Sequence, residues 1–249
     1  MDLELDFEKR YRFVREVIET IVLTVLMFLV IRLAVQNFNI DGHSMEASLH
    51  DTELILVDKW SYHFHTPARG DVIVFIAPPN PSQDYIKRII GLPGDVITIQ
   101  DTTVIVNGKP LKEFYVKPAN QGNPYPSFRD RVVPPDAYLV LGDNRNGSSD
   151  SRDWGCVPRK NIIGRAALVY WPFGQDNDGL LPDVTPVYTD VPVSPPAGTV
   201  SNTNLCHIIT NPSQAGQGAS TNDDNLNMVM LLMMPGLFVV CSRRRKIRA

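Results

Sequence analysis

The sequence contains few cysteines and no Cys-x-x-Cys pair; Cys156, Cys206 and Cys241 are odd in number and widely spaced. That spacing indicates neither a zinc site nor a disulfide framework. A dominant charge of one sign is also missing. Lys plus Arg total 24 against 27 Asp plus Glu, a net charge of −3, so no global basic field exists and no nucleic-acid partner is expected. No cluster of ligand residues accompanies any motif, and neither a metal nor an organic cofactor is expected. Internal repeats are absent. Between residues 37 and 173 no long amphipathic helix interrupts the chain, which argues against a parallel βαβ fold with its helical crossovers. What is present is 249 residues, 43% of them hydrophobic and 20% charged. This is enough for one sizeable domain or two small ones, and it excludes both a wholly disordered chain and a polytopic transporter.

The hydrophobicity is unevenly placed. Val17 to Val35 is predominantly apolar, and Thr20 to Ile31 carries no charge. At 1.5 Å per residue these positions cover about 28 Å, close to the thickness of a bilayer core. Lys9, Arg10, Arg12 and Arg15 precede the run, so the positive-inside rule puts residues 1–16 in the cytoplasm, a transmembrane anchor over 17–36, and the following chain outside. The bulky polar stretch "VQNFNIDG" after it lacks a small-x-small site, which favours an uncleaved anchor over a removable signal peptide.

From Leu54 to about Phe173 short β-branched runs bounded by Gly, Pro, Asn or Asp follow one another: "LILV", "DVIVFI", "YIKRII", "DVITI", "TVIV", "YLVL", "AALVYW". The pattern predicts an all-β domain over 37–173, an antiparallel, barrel-like sheet. Asn107-Gly108 lies between two such runs and predicts a type I′ hairpin, whose two central positions need positive φ. Residues 174–225 hold six Asp, six Pro and no Lys or Arg, and read as a Pro/Asn/Thr-rich linker. Residues 226–241 are again largely apolar, a candidate second span, and the basic residues of 242–249 read as a cytoplasmic tail. An interfacial terminal segment with a basic anchor is the alternative.

Three stretches in the β-rich part carry candidate chemistry. "DGHSMEASL" places Ser44 just beyond the first span; most serines are solvated or bond their own backbone, so alone it means little. His43 beside it would face the opposite side of a strand and is a poor base for Ser44. In "DYIKRIIGLPGD", Tyr85, Lys87 and Ile89 share one strand face and Ile86, Arg88 and Ile90 the other. Bulky neighbours can desolvate Lys87, and only a desolvated lysine loses its proton near neutrality. "GDNRNGSSDSRDWG" is a carboxylate, hydroxyl and guanidinium loop able to orient such a pair. Together they describe a serine nucleophile, a lysine base and a supporting shell.

These stretches, in this order after an N-terminal span, resemble the boxes of the bacterial type I signal peptidases. "SMEASL…LILVDK" resembles the nucleophile box, "RGDVIVF" the strand box after it, "YIKRIIGLPGD" the lysine box and "GDNRNGSSDSRDWG" the last box, together covering about half the chain. The resemblance implies a membrane-bound serine endopeptidase that removes signal peptides from exported preproteins through an acyl-enzyme. It implies Ser44 as nucleophile, Lys87 as general base, Ser148 as the serine that orients the lysine amine, and Asp150 with Arg152 as a bracing ion pair. Asp143, Arg88 and Met45 complete the implied supporting set.

The implied substrates carry small residues at the first and third positions before the cut, bound as an extended strand. The implied partners are such preproteins, the lipid bilayer of the bacterial plasma membrane and the protein export machinery. Two departures stand out. Gly42 occupies the position where some members place an oxyanion-binding hydroxyl, and Ala47-Ser48 replaces a frequent Pro-Thr. Lys87 distinguishes the chain from the endoplasmic-reticulum branch, which uses histidine. Two rivals remain: a self-cleaving repressor-type peptidase, disfavoured by the N-terminal span, and a catalytically silent membrane-tethered β-domain that binds exported peptides.

Overall fold

In a computed structural model, residues 2–172, 179–194, 204–209 and 245–249 are described. The first element, α1 (Asp2–Ala34), contains the apolar run. Its segment Arg10–Ala34 is long and apolar enough to cross a membrane, with mean hydropathy 2.4 and none of it buried against the rest of the chain. A helix this apolar and uncovered has no stable place in water, because its exposed side chains lack the polar face that a surface helix needs.

The strands β1 (Val35–Asp41), β2 (Leu54–Asp58), β3 (Val72–Ala77), β4 (Asn80–Gly91), β5 (Val96–Gln100), β6 (Thr103–Val106), β7 (Lys109–Pro110), β8 (Phe128–Val132), β9 (Ala137–Leu141), β10 (Val157–Pro158), β11 (Ile162–Trp171) and β12 (Arg245–Arg248) build two sheets. The larger has the order β10-β9-β4-β12-β1-β2-β11-β3, and β3 also pairs with β4. That extra pairing closes β4, β12, β1, β2, β11 and β3 into a barrel, as the sequence pattern predicts. Closure removes the open edges that a six-strand sheet would otherwise present. The smaller sheet has the order β7-β6-β5-β8. Its hairpin at Asn107-Gly108 has the positive φ values expected there, 51° and 80°, which asparagine and glycine adopt with least strain.

Alternation along the strands fills the barrel. Phe38 and Ile40 of β1, Ile55 and Val57 of β2, Val72 and Val74 of β3, and Ile86 of β4 form one buried cluster with Met45 and Leu49. The long strand β4 changes partner along its length: β12 flanks it at Asp84 and Tyr85, and β9 takes over on that side from Arg88 to Gly91. The two residues between, Ile86 and Lys87, therefore lie where one neighbour ends and the next begins.

Two sequence readings need correcting, the linker and the tail, and the pairing of Cys156 with Cys206, which the sequence leaves open, is settled by the fold. Parts of the stretch read as a linker pack on the domain: Val184 and Tyr188, the latter on the short helix α4 (Thr185–Tyr188), are buried with the second cluster of Ile90, Ile97 and Leu139. (The short helices α2, Ser61–Phe64, and α3, Ser151–Trp154, come earlier in the chain.) Cys156 and Cys206 are joined in a disulfide with Cα atoms 5.8 Å apart; the fold brings together residues 50 apart in sequence, which no local spacing rule detects. Residues 245–249, read as part of a cytoplasmic tail, are strand β12 and its last neighbour in the barrel sheet, so they lie on the same side of any membrane as that sheet. The candidate second span, 226–241, lies outside the described residues.

Candidate active site

β1 runs away from the end of α1, and the chain turns at Gly42, whose φ of +116° favours glycine. The Asp51 carboxylate accepts the Gly42 N–H at 2.8 Å. Ser44 follows in this turn, 2% exposed, its carbonyl accepting the Asn144 N–H at 2.9 Å. Met45 and Leu49 anchor the turn in the barrel core beneath it. His43 points outward and pairs with Glu46 at 2.7 Å, away from any catalytic part, as its place beside Ser44 predicts.

β4 carries the second group. Lys87 is 1% exposed, and its Nζ lies 2.5 Å from Ser44 Oγ. The same amine donates to the Ile86 carbonyl at 3.0 Å and lies 5.5 Å from the Tyr85 ring centre. Burial pushes the Lys87 amine down to about 8, while the carboxylates of Asp150 and Asp143 pull against that shift. Desolvation wins because the charged form has lost its water and neither carboxylate touches it directly.

On the opposite face of β4, Arg88 donates to both oxygens of Asp143 at 2.9 and 2.6 Å, to the Gly70 carbonyl at 2.8 Å and to Ser48 Oγ at 3.1 Å. Its guanidinium also sits 4.5 Å above the Tyr115 ring centre. This buried cation is thus fully paired, the condition under which a buried charge is tolerated. The Ser48 hydroxyl, one of the departures noted above, is one of its partners.

The loop between β9 and β10 braces both. Asp150 caps α3 by accepting the Arg152 N–H, takes two guanidinium bonds from Arg152 at 2.9 and 2.8 Å, and accepts the Gly142 N–H at 3.0 Å. Burial raises the Asp150 carboxyl, but the bonds and charge of Arg152 outweigh it and hold the group below the usual carboxylate range. Ser148 is buried beside Gly142, its Oγ inside the space that a Cβ at position 142 would need. Its hydroxyl sits outside hydrogen-bonding geometry with any described residue. The expected bond from Ser148 to Lys87 is therefore not made here, because the amine is directed at Ser44 Oγ and the Ile86 carbonyl instead.

Every residue expected at the site lies in this one buried region. Other residues in it carry no individual signal in the sequence. Asn144 donates its backbone N–H to the Ser44 carbonyl and its side-chain amide to the His43 carbonyl at 3.1 Å. Arg145 makes two 2.6 Å bonds to Glu113 and one of 3.0 Å to the Gly142 carbonyl. Asn120 holds the Glu46 carbonyl at 2.8 Å. Asn144 and Arg145 lie inside the polar loop that the sequence marks, whereas Glu113 and Asn120 carry no sequence signal.

A cavity of about 930 Å³ opens in front of Lys87, lined by Asp41, Gly42, Asp84 and Tyr85 and by Arg248 and Ala249 of the C-terminal segment. A hydroxyl in contact with an amine that is neutral in part near pH 8, beside an open cavity, is suited to nucleophilic attack on a bound acyl group.

A family profile described as signal peptidase, peptidase S26, matches residues 14–171. The chain is 45% identical over 165 residues to a signal peptidase I of Leptolyngbya laminosa, covering 63% of this chain and 79% of that protein. It is 34% identical over 187 residues to a signal peptidase IB of Staphylococcus aureus, covering 68% of this chain and 95% of that protein. A crystal structure of a signal peptidase I from Enterococcus faecalis V583 aligns with a TM-score of 0.36 at 35% identity, over 41% of this chain and 97% of that one.

Proposed function

Because this chain belongs to the signal peptidase family, peptidase S26, it is a peptidase that cleaves signal peptides, and we propose that it does so with Ser44 as nucleophile and Lys87 as general base. The observation that carries this reading is the buried 2.5 Å contact between Ser44 Oγ and Lys87 Nζ, with the amine lowered to about 8. In the first step neutral Lys87 takes the Ser44 hydroxyl proton as Oγ attacks the scissile carbonyl carbon. The negative charge that develops on the carbonyl oxygen is received by backbone N–H, with Ser44 itself the first donor; Gly42 offers no side-chain hydroxyl. The tetrahedral intermediate then collapses, the C–N bond breaks, and the Lys87 ammonium returns its proton to the leaving amine. Lys87, neutral again, removes a proton from water, which attacks the acyl-Ser44 ester and frees the acid.

Arg88 with Asp143, and Asp150 with Arg152, act as positioning residues that keep the loop against the dyad, and Met45 wedges the turn. Asp150 and Asp143 also raise the amine slightly. We place the N-terminus in the cytoplasm and the β-domain outside the plasma membrane, where preproteins, lipid and the export machinery would meet it.

The test is cleavage of a preprotein bearing an Ala-x-Ala site by detergent-solubilised protein, with the cut mapped by mass spectrometry. Ser44→Ala and Lys87→Ala should each abolish the cut, and the wild-type kcat/KM should rise with pH through about 8 and then level. Binding of the preprotein without any cut would leave the silent peptide-binding domain as the reading.

A further inference from the structure

β1 and β4 are not hydrogen-bonded to each other; a gap one strand wide separates Phe38–Asp41 from Asp84–Tyr85, and β12 fills it. The gap leads to the chemistry at both sides. Ser44 follows the end of β1 by three positions, and Lys87 follows Tyr85 by two. β12 pairs parallel with both flanking strands, while the other named strands of the described residues pair antiparallel. Such a strand is not a hairpin partner of either neighbour. It is a segment added from elsewhere in the chain, the mode by which extended peptides join a sheet edge.

The register decides what it presents. Ile247 is fully buried among Met45, Phe38 and Ile40, while Lys246 and Arg248 face outward. Ala249 donates its N–H to the Asp41 carbonyl at 2.8 Å, and its carbonyl oxygen lies 2.6 Å from where a Cβ on Gly42 would stand. The absence of a side chain at position 42 is therefore what admits this carbonyl next to the Ser44 turn. Read toward the dyad, Ile247-Arg248-Ala249 places a small residue at the first position, as the family resemblance implies for substrates, and a larger aliphatic residue at the third, where that pattern asks for a small one. The sequence before it repeats the order of a substrate: a largely apolar stretch, 226–241, and then an extended segment that enters beside β1 from the α1 end.

We infer that Arg245–Ala249 is a tethered substrate mimic that occupies the cleft of its own dyad and must leave before a preprotein strand can enter. The inference rests on the peptidase reading and names a regulation of that site. Joined to the same chain, the segment competes at an effective concentration on the order of millimolar, so even a weak occupant raises the apparent KM.

The test has two readouts on the full chain in detergent. By hydrogen exchange, the amides of Ile247 and Ala249 should be protected, and adding a synthetic product peptide ending in Ala-Gln-Ala at millimolar concentration should release them. In kinetics, Ile247→Asp and, separately, removal of residues 245–249 should lower the apparent KM for a signal-peptide substrate by roughly tenfold, the size expected for a millimolar local competitor with a Kd of about 0.1 mM. Amides that exchange freely without peptide would overturn the inference. So would amides that stay protected under peptide while KM is unchanged, which would make β12 a permanent barrel strand. Protection that the peptide releases in a protein that cuts nothing would support the tethered occupant while removing the peptidase reading.

Discussion

Lys87 is held in a form that an isolated lysine would not take, and that has a thermodynamic cost. Its amine titrates at about 8 in the folded protein against about 10.4 in the unfolded chain. Below pH 8 the folded state must hold a buried ammonium that it disfavours, and above about 10.4 both states are neutral and no penalty remains. Stability should therefore rise with pH between these values, by about 3 kcal/mol, since the unfolded chain binds the extra proton in that window. Replacement by an apolar residue of similar length removes the penalty at neutral pH. Lys87→Met should be inactive yet more stable at pH 7 by about 3 kcal/mol, with the gain vanishing as pH approaches 10.4. Thermal unfolding in detergent, run for both proteins from pH 7 to 10.5, measures the difference. A gap that does not narrow with pH would show that the amine is not desolvated in the folded state.

At the scale of elements, the site is a junction of one strand, one turn and one loop, and the Arg88–Asp143 pair ties all three. Arg88 is on β4, Asp143 in the loop after β9, and Ser48 in the turn after β1. Asp143→Asn would leave a guanidinium, 1% exposed, without its counter-charge; that should cost about 3 kcal/mol. Asp190→Asn, which removes the partner of Lys109 in a 3.7 Å surface pair, should change stability by less than about 0.5 kcal/mol. Denaturant titration of the two variants separates the cases, and equal small effects would mean that the buried pair is replaceable by its neutral bonds. These same elements show what a sequence can and cannot disclose. Ser44, Lys87 and the Asp150–Arg152 loop are legible as candidates because the proposed chemistry needs fixed residue types in short, contiguous runs, and the strands are legible because one face of each must be apolar. The disulfide is not legible, since only the fold brings Cys156 to Cys206. Strand β12 is not legible either. Only Ile247 in it needs to be apolar, so no alternation announces a strand, and the basic residues around it read as a charged tail. Ser148 marks a different limit: sequence places it in the loop, but the direction of its hydroxyl depends on the room that Gly142 leaves.

The whole molecule couples a membrane-seeking helix to a rigid barrel through a very short joint. α1 ends at Ala34 and β1 begins at Val35, and the Ala34 carbonyl accepts the Lys59 N–H at 3.0 Å, which ties the helix end to the barrel. Trp60 and Phe64 lie exposed at that same end, suited to the lipid interface where aromatic rings concentrate. From there β1 covers about 3.3 Å per residue, which sets the Ser44 turn roughly 20 Å from the helix end. A substrate whose apolar segment lay in the same bilayer would need only a short extended stretch to reach the cleft, and on the proposed reading the helix would act by confining enzyme and substrate to one surface. The barrel core contains none of α1, and the dyad's partners all come from the barrel and its loops. Deletion of residues 2–34 should therefore leave kcat/KM for a soluble Ala-x-Ala peptide within about threefold, while cleavage of a preprotein embedded in vesicles falls by at least about tenfold, the loss of effective concentration. Parallel assays of both substrates with both proteins decide it. An equal fall on the two substrates would mean that α1 supports the geometry of the dyad rather than the meeting of enzyme and preprotein.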